Sequence, residues 1–396
     1  MPQFFQTMPC RVQGFQATLD GYIKTNKYLV AFNDACNGGA NIFTPSGTAD
    51  HLGTFFYIPF LADKLDMEIN FATKFFFISY GIICFFISIF FFNKINTNIK
   101  IKIFGTLIIS FLFILCISIS DTYSFYGLTS LALIPLWQYF FEKNLINNKF
   151  SIITFSFFSG ILIAFSESVR GQSGLSLIIC LIIYFYFFNK ENKFRKFITI
   201  IIILLPLITI KFFFENLKDS RNNFFLNDQN KIIELQKRNI PLKHVRSIWH
   251  NAYFGLGFLS YDNPNFPENN DTFAVNKAKE LNPNIIPFTS DYEKLLRKEY
   301  FNFILNYPLY FLKITAAKVG VILMYIIIFM NIGIYYLFKN KISNRIKYFF
   351  LPGIFFNSLF GILAEPAYTY LLGMFVYCSL LTLFIIQQKN FRNQNK

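Results

Sequence analysis

Residues able to do chemistry are confined to a few polar stretches set among long runs of Ile, Leu and Phe. The first, TLDGYIKTNKYLVAFNDACNGGANIFTPSGTADHLGTFFYIP at 18–59, holds Asp20 near Tyr22, Asp34 beside the Gly38-Gly39 turn, and an Asp50-His51 pair followed by Phe55, Phe56, Tyr57 and Pro59. A carboxylate held against a bilayer can act as a general base, because partial burial raises its pKa toward working pH. Asp20 and Asp50 are the candidate bases; Asp34 and Asp50 are also natural turn and helix-cap residues. The second stretch, SESVRGQSG at 166–174, carries Glu167 and Arg170 in a turn between two apolar runs. An arginine fixed there offers several N–H donors to a phosphate, or else snorkels or pairs with Glu167.

The third stretch, PLKHVRSIWHNAYFGLGF at 241–258, gathers Lys243, His244, Arg246 and His250, with Gly255 and Gly257 permitting close backbone approach. Trp249 and Tyr253, four residues apart, anchor the segment at an interface, line a site, or do both. The candidate substrate contacts are therefore His51, Arg170, Lys243, Arg246, His250 and Tyr253. No HxxxH, HxxE or CxxC spacing supports a zinc site, so no metal ligand is assigned. Asp and Asn side chains could hold a divalent cation on a phosphate substrate, without a motif for it. The Gly255-Gly257 pair has neither the preceding strand nor the following helix of a dinucleotide fingerprint. Lys313 and Lys318, near one end of a long apolar run, contact lipid phosphate or snorkel.

The elements that must position these groups follow from composition. Hydrophobic residues make up 54% of the 396, including 56 phenylalanines, more than a soluble core requires. The sequence predicts an all-α polytopic membrane protein with about nine transmembrane helices, near 70–93, 101–120, 122–142, 150–168, 173–189, 196–214, 308–338, 348–364 and 367–387. Lys and Arg cluster in every second connection, at Lys94 to Lys102, Lys143 to Lys149, Lys190 to Lys196, Lys339 to Lys347 and Lys389 to Lys396. The positive-inside rule makes these connections cytoplasmic, together with the C-terminus. Most of the formal charge of +15 resides there, so the basicity reports topology and implies no nucleic-acid partner.

The chain then divides into an extracytoplasmic first loop with short interfacial helices (1–69), six membrane helices (70–214), an extracytoplasmic helical cap (215–307), and three membrane helices with a tail (308–396). An N-terminus outside, with neither span nor signal peptide before residue 70, is the expectation for a chain that has lost a first helix. Cap helices are expected at 227–238, at 271–281 behind an Asp cap, and at 290–305, where Ser290 and Glu293 have capping-box spacing. Pro264, Pro267, Pro283 and Pro287 break the stretches between them. Cys84, Cys116, Cys180 and Cys378 fall in apolar runs, whereas Cys10 and Cys36 fall in the first loop, where an oxidising compartment would permit a disulfide.

An acidic first loop with LDGY, a multi-span body, a short Arg-bearing turn and a late helical segment together resemble the GT-C superfamily of polyprenyl-phosphate-dependent membrane glycosyltransferases. The protein mannosyltransferase-like and aminoarabinose transferase-like members are nearest in layout. The resemblance implies sugar transfer from a lipid-linked phosphate donor to a glycan, lipid or protein acceptor. It implies an integral protein of a bacterial inner membrane, active on the extracytoplasmic face, with membrane lipids around it. It assigns the base to the first-loop acid, carried here by Asp20, although the family pairs two acids where this chain has Asp20-Gly21. Two rivals stand beside it: a polysaccharide polymerase or ligase, dependent on outer-loop arginines, and a transporter, which would need charged groups at mid-span.

Overall fold

The computed structural model describes residues 8–47, 50–96, 98–119, 121–143, 145, 148–188, 193–259, 267–339 and 344–394. Lys190, Pro264 and Lys396 of the reading above lie outside these residues. All nine apolar runs are helical: α3 (Ile69–Ile95), α4 (Ile99–Ile117), α5 (Ser124–Glu142), α6 (Lys149–Val169), α7 (Leu175–Phe188), α8 (Lys193–Leu226), α13 (Pro308–Lys339), α14 (Asn344–Leu363) and α15 (Leu372–Gln394). Six of them, α3, α4, α6, α8, α13 and α14, are long and apolar enough to cross a membrane, and the chain is a helical membrane protein.

α5 packs along α3, and α6 along α8. From Ser124 to Gln138 every residue of α5 is buried, so this helix is enclosed by protein and its polar groups find partners there rather than in water. Tyr80 and Thr129 share a hydrogen bond of 2.9 Å, Thr129 donates to Ser166 at 2.7 Å, and Ser166 meets Ser173 at 2.6 Å. Ser124, Thr129, Ser130 and Gln138 lower the hydropathy of α5, which is why burial within the bundle marks it better than its composition does.

The described residues before α3 form more than short helices. α1 (Pro9–Thr25) packs on an antiparallel hairpin of β1 (Val30–Asp34) and β2 (Gly39–Pro45), followed by α2 (Leu52–Leu65). Short interfacial helices alone were expected, and the alternation of Val30, Phe32, Ile42 and Thr44 is too brief to announce a strand pair. Cys10 and Cys36 are disulfide-bonded with Cα atoms 5.5 Å apart, tying α1 to the turn of the hairpin. A Cβ on Gly21 would collide with the Val30 carbonyl oxygen, so the glycine of LDGY serves the packing of α1 on β1.

Beyond α8 come α9 (Gln229–Lys237), α10 (Ile248–Phe254), α11 (Asp271–Leu281) and α12 (Ser290–Asn306). Caps differ from expectation in two places. Asn270, not Asp271, accepts the Thr272 N–H at the start of α11, and Thr289 caps α12. Glu293 closes no capping box on its own helix. Its carboxylate accepts from the backbone N–H groups of Trp249 at 2.7 Å and His250 at 3.2 Å. It thereby supplies the N-terminus of α10 with acceptors that Ser247 does not provide. Burial holds the Glu293 carboxyl above its ordinary pKa, against the pull of those N–H groups.

Candidate functional site

At the end of the bundle that carries α1, α2 and α10, the residue run before α2, the turn after α6, the start of α10 and the end of α14 line one small cavity. Its lining combines polar Asp50, Arg170, Gln172, Arg246 and Asn251 with apolar Ile248, Phe360 and Leu363, and its volume is about 190 Å³. That is less than a whole drug-sized ligand needs; it suits one compact head group.

Local folding positions each wall. Glu167 accepts the backbone N–H groups of Gln172 and Gly174, both at 2.9 Å, and so shapes the turn after α6 instead of pairing with Arg170. Gly171 N–H donates to the Asp50 carbonyl at 2.9 Å, stitching this turn to the start of α2. Gly53 lets α2 sit directly on the Ser168 backbone. Lys318 of α13 donates to the last carbonyls at the end of α14, at 3.1 Å to Ile362 and 2.6 Å to Ala364. Lys318 is thus a buried helix cap, and neither snorkels nor reaches toward lipid phosphate.

Arg170 is the central cation. It is only 5% exposed, and its Nε donates to the Tyr126 hydroxyl at 3.0 Å. Nη1 lies 2.8 Å from Nε2 and 2.9 Å from Nδ1 of the His51 ring. The guanidinium also stands 4.4 Å from the Tyr123 ring centroid. No carboxylate approaches Arg170 within ion-pairing distance among the described residues. A buried, unpaired guanidinium is costly unless an anion or strong acceptors compensate it. His51 acts as an acceptor, because burial first, and then the Arg170 and Arg11 charges, push its pKa well below 6.5. Arg11 is itself engaged with Asp121 and Thr122. Arg246 is half-exposed, with Nε 3.9 Å from Asp50 Oδ1.

The structure therefore brings together Asp50, His51, Arg170 and Arg246 of the sequence-derived candidates. It does not bring Asp20, whose carboxylate accepts from Gln16 on the same face of α1 at 2.9 Å and does not line the cavity. Lys243 is exposed and absent from the lining. His250 sits inside the cap, with Nδ1 2.6 Å from the Tyr292 hydroxyl and Nε2 3.1 Å from Asp271 Oδ1, so both ring nitrogens are occupied. Tyr253 is buried and stacks on Phe273, while Trp249 packs on Tyr300 and Phe301. The segment SIWHNAYFGLGF is therefore a short helix and a following turn clamped between α11, α12 and α14. Gly255 presses on the Leu363 and Ala364 carbonyls, and Gly257 on the 267–269 backbone; the close approach is to protein, not to a ligand.

Tyr126, Gln172 and Asn251 line the site without having been singled out in the sequence. Tyr126 gave one usable signal, a phenol at the head of an apolar run. Among the described residues no three His, Cys, Asp or Glu side chains gather to hold a metal ion. No family model, curated protein or solved structure matches the chain.

Proposed function

We propose that the protein is a membrane glycosyltransferase that moves a sugar from a polyprenyl-phosphate donor to an acceptor hydroxyl at the outer face of a bacterial inner membrane. In this reading the chain has nine spans, with the cavity extracytoplasmic and the C-terminus cytoplasmic. The observation that carries it is Arg170, a buried cation without a carboxylate partner among the described residues, lining a cavity that mixes polar and apolar side chains. That combination suits a phosphate attached to a lipid. The acceptor oxygen attacks the anomeric carbon, its proton passes to Asp50, and the bond from that carbon to the phosphate oxygen breaks. Arg170 and Arg246 hold the departing polyprenyl phosphate. Asp50, in the cavity, replaces Asp20 as the base, which departs from the assignment the GT-C resemblance implies.

The two arginines also favour a second reading, a polysaccharide polymerase or ligase that releases a polyprenyl diphosphate. Purified protein is to be assayed with a panel of polyprenyl-phosphate sugars and with polyprenyl-diphosphate oligosaccharides. Release of polyprenyl monophosphate supports the first reading. Turnover of the diphosphate substrates alone replaces it with the second, and consumption of neither removes both.

A further inference from the structure

Far from this cavity in sequence, at the basic connection between α3 and α4, two adjoining grooves of about 450 and 410 Å³ share Asn93 and Lys102. Their walls are apolar, and Phe86, Phe90 and Leu107 are each more than half exposed. Lys94 and Lys102 stand on the two helices, no carboxylate lines either groove, and neither lysine has an ion-pair partner among the described residues. The first turn of α4 carries no acidic residue, so the positive end of its dipole adds to the two ammonium charges.

We propose that this groove seats an anionic phospholipid. The phosphate lies between Lys94 and Lys102, and an acyl chain runs along Phe86, Phe90 and Leu107. The inference rests on the groove and its charges and is independent of the glycosyltransferase reading.

The test uses the full chain in nanodiscs of phosphatidylcholine containing a minor fraction of phosphatidylglycerol, with retained lipid read by native mass spectrometry. The wild type retains phosphatidylglycerol over phosphatidylcholine. Replacing Lys94→Ala and Lys102→Ala together reduces that retention by roughly tenfold or more, each cation near a lipid surface being worth about fivefold. Lys143→Ala, exposed on a different basic connection, leaves retention unchanged. Undiminished retention in the double variant, or an equal loss in Lys143→Ala, overturns the site. Displacement of the lipid by inorganic phosphate overturns the choice of a lipid.

Discussion

The Arg170 guanidinium donates to an imidazole, that of His51, which its own charge helps to keep neutral. Cation and acceptor are mutually reinforcing: a protonated His51 would repel Arg170 and offer it no lone pair. One positive charge is thus fixed beside Asp50 without being cancelled, a state suited to receive an anion.

This pair gives stability a defined dependence on acid. Unfolded histidine takes up a proton near pH 6.5, whereas folded His51 stays neutral well below that and folded His244, buried beside Arg221, until about 4. Depressed folded values mean that stability is intact above about pH 6.5 and is lost as pH falls from there through the folded values. His244 alone accounts for a loss of up to about 3 kcal/mol by pH 4. Thermal unfolding in detergent is expected to show a midpoint that falls between pH 7 and pH 5, and a shallower fall in His51→Gln with His244→Asn. An unchanged slope in that double variant refutes the account.

Substituting the two aspartates separates their roles. Asp50→Asn keeps shape and removes basicity, and is expected to lower turnover roughly 10²-fold with donor binding largely retained. Asp20→Asn, outside the cavity, is expected to leave both parameters close to wild type. Reversed behaviour would return the base to Asp20 and discard the site as drawn.

Arg170→Lys is expected to weaken binding of the phosphate-bearing substrate roughly 10- to 100-fold, as expected when charge-assisted hydrogen bonds are lost. A single ammonium cannot contact Tyr126, His51 and an anion at once. Arg246→Lys, half-exposed and holding Asp50 only at 3.9 Å, should cost less than tenfold because a solvated ion pair is weak. Titration of donor binding by both variants checks the order.

Glu293→Gln removes the charge that serves the N-terminus of α10 and is expected to destabilise the 247–257 segment by about 1 kcal/mol. Hydrogen exchange at Trp249 and His250 amides should accelerate several-fold while exchange in α3 and α5 stays unchanged. Uniform acceleration across the protein would mean that Glu293 supports the whole fold and not this segment.

The proposed orientation can be tested independently of activity. Cys84, Cys116, Cys180 and Cys378 are buried, and Cys10 and Cys36 are bonded to each other, so background thiol reactivity should be low. Asn269→Cys, at an exposed position, should react with a membrane-impermeant thiol reagent in intact cells. Labelling only after lysis reverses the topology and removes the extracytoplasmic reading of the cavity.

Hydropathy alone was enough to locate the helices of the bundle, and the caps read at α11 and α12 fell one residue late, on Asp271 and Ser290 in place of Asn270 and Thr289. Both depend on local composition: an apolar helix satisfies its own backbone, and a cap needs only a side chain within a few positions. The hairpin after α1 left a weaker mark, because β1 and β2 are short and gain their stability from the helix packed on them. Which polar groups share a cavity was not local at all. His51 and Arg170 are 119 residues apart, and Asp50 joins them while Asp20 does not, because the Gly171 to Asp50 backbone bond and the Gly53 contact fix how α2 meets α6. His250 looked as free as His51 in the sequence. Only the packing of α10 against α11 and α12 could commit its ring to Tyr292 and Asp271, since partners reached across separate helices leave no spacing to read.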